Sequence, residues 1–472
     1  MAIALVACGG HEEPPPPPQA PGAQSPDEPA QQPADKPLFP ADTRSLVLTR
    51  TVGVFLDPAK DAKRIGNVAV DTRVAWTKLA PGKGCERPWI AIEPRGWICG
   101  DDVEPSKKAP YGQEVPHLDR GEIVPGTYGK VTTSGQITYE LEKPDKKKKR
   151  GKKRGDDDDA AKQPHMVEDK PLVGSVNVRE YDEVTIDGKT YWRIEPKKKP
   201  DAQYVLRSAI TPHRPSSFTG ARLGDETGWS VPIAFVWPRY GGQQAWLLAK
   251  PSGGVLREVA SRTPLPVLET STDKDGKAVA YRVGDGEWIA AADVRLFDPV
   301  APPPGLEPNE RWIDVDVEHQ ILVAFEGELP VYATMVSSGG KDTPTEPGVY
   351  RMWLKESEAD MKGLNGEDPY SVATVPWTQF FSPEKNLALH TAYWHDQFGT
   401  RRSHGCVNLA PRDARWLYFW SDPQVPPGWT MAAGVVEAPG SIVRIRTKDD
   451  PEPETRGYAK RVLEQRQQST AP

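Results

Sequence analysis

The sequence predicts a mainly β protein made of several small units, with a few short helices towards its C-terminal end. Three observations predict it. Val, Ile, Thr and aromatic residues come in short runs broken by Gly, Pro and Asp, which is strand spacing and not helix spacing. The chain has 472 residues, too many for one ordinary domain. One short pattern recurs at 97–103, 288–294 and 204–210: an aromatic residue, Ile or Val, a short stretch, then a second Val or Ile.

At the start of the chain, Leu5-Val6-Ala7-Cys8 has the form of a lipobox, with Cys8 as the residue that takes the lipid. Only seven residues precede it and none is basic, so a true start further upstream is expected. Residues 9–43 are rich in Pro, Gln, Glu and Ala, including Pro14 to Pro18, and read as an extended spacer without a core. Residues 44–106 form a first β unit, with strands around 45–49, 52–56, 68–70, 73–76 and 96–98. A second unit spans 111–213. It is interrupted at 143–166 by a basic block, 146–154, and an acidic one, 156–159, expected as a solvated loop. A third unit spans 228–300. Ala301-Pro302-Pro303-Pro304-Gly305 opens a linker, 301–310, into a last domain at 311–447, and a loose polar tail is expected at 448–472. In the last domain, 387–390 reads as a strand and 411–420 as a helix with Pro411 at its first position.

Sixty-six acidic against sixty basic residues give a net charge of −6, which makes no case for nucleic acid as a partner. Hydrophobic residues make up 37% and prolines number 50, so part of the length lies outside any core. No stretch reaches the apolar length of a membrane span, and the expected membrane link is the lipid at Cys8. Export to the cell envelope or periplasm follows from that reading. In an oxidising compartment Cys85 and Cys99, both in the first unit, are expected to form a disulfide. That leaves Cys406 as a free thiol.

The chemistry concentrates at 390–408, H-T-A-Y-W-H-D-Q-F-G-T-R-R-S-H-G-C-V-N, which holds three of the eight histidines beside one cysteine. A cysteine needs a base to act as a nucleophile at neutral pH, and histidine is the usual one. Gly405, directly before Cys406, leaves the backbone free to turn N–H groups towards a developing oxyanion. The helix after Cys406 is expected to favour its thiolate. A zinc site from His390, His395, His404 and Cys406 is the competing chemistry, although the spacing fits neither C-x-x-C nor H-E-x-x-H.

This window resembles the signature of the L,D-transpeptidases, the YkuD-type domain: a histidine, a spacer, then Ser/Thr-His-Gly-Cys and a short tail. Two further runs agree. Val336-Ser337-Ser338-Gly339-Gly340 with Thr343-Pro344-Thr345-Glu346-Pro347-Gly348-Val349-Tyr350 is similar to the family's "S-x-G … T-P-x-G-x-Y". Leu409 to Tyr418 is similar to its "L-S-P-x-D-A-x-W-L-Y" helix. The likeness covers 311–447, and the β units before it resemble bacterial SH3-like modules, small tandem β-barrels.

The resemblance implies a set of roles. Cys406 is the nucleophile and His390 its base. Gly405 and Cys406 N–H groups form the oxyanion hole, and Ser403, His404 and Asn408 shape the loop. Thr391 orients His390. Trp377, Tyr393 and Trp394 sit near the donor peptide, under a flap at 355–386. The implied substrate is a peptidoglycan stem tetrapeptide, as donor and as acceptor, and the product a 3→3 cross-link. Water as acceptor gives an L,D-carboxypeptidase, and a protein lysine gives wall attachment. Carbapenems acylate the family's thiolate. No cofactor or metal is implied. A reading of another class is a wall-binding scaffold of SH3-like modules with an inactive last domain.

Overall fold

The strands of this chain do not stay within the units the sequence marks out; they join across them. A computed structural model describes residues 38–142, 164–196, 202–363 and 369–470. All the described strands and helices belong to the unit Thr43–Pro472. Cys8, nearly all of the Pro-rich segment and most of the charged insertion lie outside the described residues.

The protein is mainly β, 47% strand and 8% helix. The recurring sequence pattern has one local shape. Each copy is a strand, a single 3₁₀ turn and a second strand: Trp97–Cys99, Gly100–Asp102, Val103–Ser106; Gln203–Leu206, Arg207–Ala209, Ile210–Pro212; Glu287–Ala290, Ala291–Asp293, Val294–Phe297. Cys85 and Cys99 are bonded, S–S 2.04 Å. In the second unit the charged insertion ends earlier than expected, because His165–Pro171 is already a strand against Ile137–Glu142, with Leu141 opposite Met166.

The expected closed barrels do not form; among the described residues no sheet closes on itself. The sheet that crosses the molecule is open and shared. Arg64–Val68 of the first unit pairs antiparallel with Trp429–Ala433 of the last domain, Gly66 opposite Ala432. Trp429–Ala433 pairs with Leu354–Gly363, and that strand pairs with Tyr370–Ser382 to make a long hairpin. Tyr370–Ser382 then pairs in parallel with Ser175–Arg179 of the second unit, Ser175 opposite Tyr370 and Asn177 opposite Val372. The hairpin, which is the expected flap, is therefore paired directly with the second unit on one side and joined to the first unit through Trp429–Ala433 on the other. Gly66 is needed at its junction: a Cβ there would lie 2.1 Å from the ring of Trp429.

The cores are shared too. Ile233, Phe235 and Phe297 of the third unit pack with Trp312, Val323, Phe325 and Met335. Val124 and Tyr128 of the second unit pack with Val375, Phe380 and Tyr393. In the last domain Arg311–Asp316 pairs with Ile321–Glu326 and, in parallel, with Ile442–Arg446. Asp314, fully buried, accepts from Arg444 and, at 2.7 Å, from Arg446. Removing one partner of such a pair leaves an uncompensated charge and costs about 3–5 kcal/mol.

The helix Pro411–Trp420 is anchored through Asp413, which is 1% exposed. Its carboxylate accepts from Thr219 Oγ1 at 3.0 Å, the Gly220 N–H at 3.0 Å, the Tyr332 hydroxyl at 2.7 Å and Thr334 Oγ1. Lys355, also buried, donates from Nζ to the carbonyls of Tyr418, 2.7 Å, and Ser421, 2.5 Å, at the helix's negative end. The expected loose tail is a helix instead, Gly457–Thr470. Tyr458, Ala459 and Val462 give it a short buried stripe, and Arg466 reaches Glu310 at 3.3 Å. The stripe is too short to stand out in so polar a segment.

Candidate functional site

The strand Leu387–Thr391 is buried throughout and pairs in parallel with Val407–Leu409, His390 opposite Asn408. Cys406 directly precedes the second strand. The expected helix dipole does not reach it, because that strand separates Cys406 from the helix at Pro411. Cys406 is half-buried, and its Sγ lies 3.9 Å from the Asn386 carbonyl. Burial pushes the thiol up to about 11, with the Ala388 N–H working the other way.

His390 is 3% exposed. Its Nδ1 is 2.9 Å from the Thr391 carbonyl. A carbonyl can only accept, so Nδ1 carries the proton and Nε2 is left with its lone pair. Burial lowers His390 to about 4, against a smaller raising effect of that carbonyl. At neutral pH the site therefore rests as a neutral thiol and a neutral imidazole, with the tautomer of a base.

The loop 402–406 rests in a cradle built by the upstream motifs. Ser403 and Arg402 N–H groups donate to the Ser338 carbonyl at 3.0 and 2.8 Å. The Ser403 carbonyl accepts from the Gly340 N–H, 2.9 Å, and from Thr343 Oγ1, 3.1 Å. Thr345 Oγ1 accepts from the Gly339 N–H at 2.9 Å and donates to the Gly405 carbonyl at 2.7 Å. A Cβ on Gly339 would sit 2.2 Å from the Thr343 carbonyl oxygen, so only glycine lets the two runs meet. Gly405 has φ +116°, and a side chain there would also crowd Leu387. Ser403 Oγ accepts from the Gly405 N–H at 3.1 Å and donates to the Cys406 carbonyl, so the Gly405 N–H is already engaged.

The other expected residues divide. His404 is exposed, and it stacks on Tyr370 of the flap with centroids 4.4 Å apart. Asn408 is 3% exposed; its side chain meets His395 Nε2 at 3.0 Å, and its backbone exchanges hydrogen bonds with Ser337. Trp394 lines the site cavity, 5.8 Å from the His390 ring. Thr391 orients His390 through its carbonyl and not its hydroxyl, which is buried without a partner among the described residues. Tyr393 is fully buried, stacked on Tyr128 at 3.9 Å, with its hydroxyl donating to the Ala373 carbonyl at 2.8 Å. Trp377 is fully buried and does not line the cavity. Apolar ring area placed Tyr393 and Trp377 in the core.

The cavity measures about 820 Å³ and brings together His390, Ser403, His404, Cys406, Asn408 and Trp394. It also takes in His395, which the sequence offered only as a zinc ligand, and residues that sequence reasoning missed: Arg402, and Lys130, Asn177 and His213 from the second unit. His395 stood within the motif window, which was the available signal. Nothing in the sequence ties residues near 130, 177 and 213 to a site so much further along the chain. Asp396, next to His395, is braced by the third unit through Arg262, 3.0 Å to its second oxygen. No three of His390, His395, His404 and Cys406 bring their ligand atoms close enough together to share one ion. The only metal-type group among the described residues is Cys85, Cys99 and Asp101, whose sulfurs are bonded to each other.

Known proteins show the same segment. L,D-transpeptidase 1 of Mycobacterium tuberculosis (strain ATCC 25618 / H37Rv) is 28% identical over 206 residues, 36% of this chain and 78% of that protein. YciB of Bacillus subtilis (strain 168) is 29% identical over 130 residues, 24% of this chain, and this chain spans 63% of its length. An NMR structure of the catalytic domain of an Enterococcus faecium L,D-transpeptidase aligns with 30% of this chain and 100% of its own, at 25% identity and a TM-score of 0.23. Residues 310–445, which contain the cradle, His390, Cys406 and the anchoring helix, match the YkuD family model, the L,D-transpeptidase catalytic domain.

Proposed function

We propose that this protein is a cysteine-dependent L,D-transpeptidase acting on peptidoglycan stem tetrapeptides. The observation that carries the reading is that Cys406 and an imidazole held as the Nδ1–H tautomer line a common cavity. Cys406 Sγ attacks the amide carbonyl between the L-centre of meso-diaminopimelate and the terminal D-alanine, and its proton passes to His390 Nε2. The Cys406 N–H is the oxyanion donor left free by Ser403's hold on Gly405. The C–N bond breaks, His390 returns the proton to the leaving D-alanine amine, and a thioester remains. The amine of a second stem attacks the thioester and gives its proton to His390. A 3→3 cross-link forms and the thiol is restored. Water in place of the amine makes the same site an L,D-carboxypeptidase, and a protein lysine makes it a wall-attachment enzyme.

The strand–3₁₀–strand repeat supports reading the three N-terminal units as open, SH3-like modules that hold the enzyme on the wall. Lipid attachment at Cys8 and location in the periplasm belong to the same proposal. The test is intact-protein mass spectrometry with meropenem. A single adduct on the wild type, absent from Cys406→Ala, is expected. A folded wild type that takes no adduct sinks the transpeptidase reading and leaves the wall-binding scaffold.

A further inference from the structure

We propose that the second β unit is part of the substrate site, and that Lys130 from this unit together with Arg402 from the catalytic loop binds carboxylates of the peptide substrate. This deepens the transpeptidase reading and rests on it for the identity of the substrate. The anion preference itself does not.

The first observation is charge. The chain carries a net −6, yet among the described residues no aspartate or glutamate lines the cavity. Its lining cations are Lys130 and Arg402, joined by His213, His390, His395 and His404. Lys130 and Arg402 are both exposed, and neither forms an ion pair with a described residue. Three of the imidazoles do not share the charge. His213, His390 and His395 are each lowered to about 4, in every case by burial first. His213 is also opposed by Lys130, and His395 by Arg402. At neutral pH the standing positive charge of the wall therefore sits on Lys130 and Arg402, in a concave space where low-dielectric walls strengthen it.

The second observation is that the second unit is fixed at this wall. Its strand Ser175–Arg179 is paired to the flap. The Ser175 N–H donates to the Pro369 carbonyl at 2.9 Å, and Gly174 comes so close that a Cβ would lie 1.9 Å from that oxygen. Arg179 pairs with Glu358 on the neighbouring flap strand. Tyr128 stacks on Tyr393, three residues after His390, and donates to the Thr374 carbonyl at 3.4 Å. Lys130 stands two residues from Tyr128 on the same strand, opposite Asn177, whose Oδ1 accepts from His213 Nε2 at 2.7 Å. Lys130 is therefore placed by a rigid support and not by a wandering loop.

The proposed donor suits such a wall. Its leaving residue ends in a carboxylate, and the D-centre of diaminopimelate carries another. Two cations, with no anion among the described lining residues, would draw these groups in, and the neutral imidazoles would leave the thiol's base unprotonated.

The test compares two alkylating reagents of equal chemistry and different charge on the full-length protein, with Cys406 followed by peptide-resolved mass spectrometry. Iodoacetate carries a carboxylate and iodoacetamide does not. Thiolate fraction affects both alike, so the ratio of their rates isolates recognition of the anion. Relative to the same chain in denaturant, the wild-type ratio is expected to be at least about fivefold higher and to fall with salt. Lys130→Glu and Arg402→Glu should each bring it to the denatured value or below, and Lys130→Arg should keep it. Iodoacetamide alone reports on each variant whether the thiol is still reachable. A wild-type ratio equal to the denatured one, or a ratio indifferent to charge reversal at Lys130, overturns the proposal. A meropenem adduct with a flat ratio removes this proposal alone. A high ratio with no adduct removes the transpeptidase reading and leaves the anion site.

Discussion

The thiol of Cys406 offers a direct check on how this site works. A nucleophile stored as thiolate needs a pKa near or below 7, whereas burial pushes Cys406 up to about 11. At pH 7.5 such a thiol is ionised to about 0.03%, against about 9% for a free cysteine, a ratio of about 300. Thiolates of higher pKa are intrinsically more nucleophilic, which returns about tenfold over 2.5 pKa units. Iodoacetamide should therefore modify Cys406 about 20–30-fold more slowly at pH 7.5 than it modifies the same cysteine in the denatured chain. The assay is the rate of carbamidomethylation at Cys406 from pH 6 to 11, read by peptide mass spectrometry. The rate should still be climbing tenfold per pH unit beyond pH 9. A plateau reached by pH 7 would refute the neutral resting pair and show a thiolate held by an imidazolium.

Three further outcomes are expected. His390 has its folded value, about 4, below the ordinary 6.5, so the unfolded chain takes up a proton that the folded state refuses. Its stabilising effect is complete above about pH 6.5 and is lost towards pH 4 at about 1.4 kcal/mol per pH unit; a His390 NMR signal titrating near 6.5 would contradict this. Asp413→Ala strips four donors of their acceptor, and because the Tyr332 hydroxyl can turn to Thr219 Oγ1, 3.2 Å away, part of the loss is recovered. A cost of about 3–5 kcal/mol is expected in thermal or denaturant unfolding, and a cost under about 1 kcal/mol would show that the helix is anchored otherwise. Replacing Cys85 and Cys99 by Ser opens a loop of sequence separation 14 and should cost about 3 kcal/mol, read as earlier unfolding of the first unit.

The candidate site was legible because the residues that suggest its chemistry are local. Histidine, glycine and cysteine stand within one window, and the two upstream runs prove to be the cradle for its loop, through Gly339, Thr343 and Thr345. The Trp97, Tyr204 and Trp288 copies were legible as a repeat because each encodes one strand, one 3₁₀ turn and a second strand. What stayed hidden depends on tertiary pairing. A strand's sequence states which face is buried but not which strand lies beside it, so nothing in 175–179 announces the flap. Aromatic residues misled for a related reason. Trp377 and Tyr393 look the same in sequence whether they hold a ligand or fill a core, and here they fill it.

The pairing of the flap with the second unit, and of Trp429–Ala433 with the first, also fixes what can be cut from this protein. Residues 310–445 look like a self-sufficient domain, yet removing the rest would strip Arg64–Val68 from Trp429–Ala433 and Ser175–Arg179 from Tyr370–Ser382. Each loss bares a row of unpaired backbone N–H and C=O groups, the kind of edge that recruits other chains. The excised fragment should self-associate through those edges more than the whole chain does. For handling and inhibitor work, the smallest dependable piece therefore begins at the first β unit and not at the catalytic boundary.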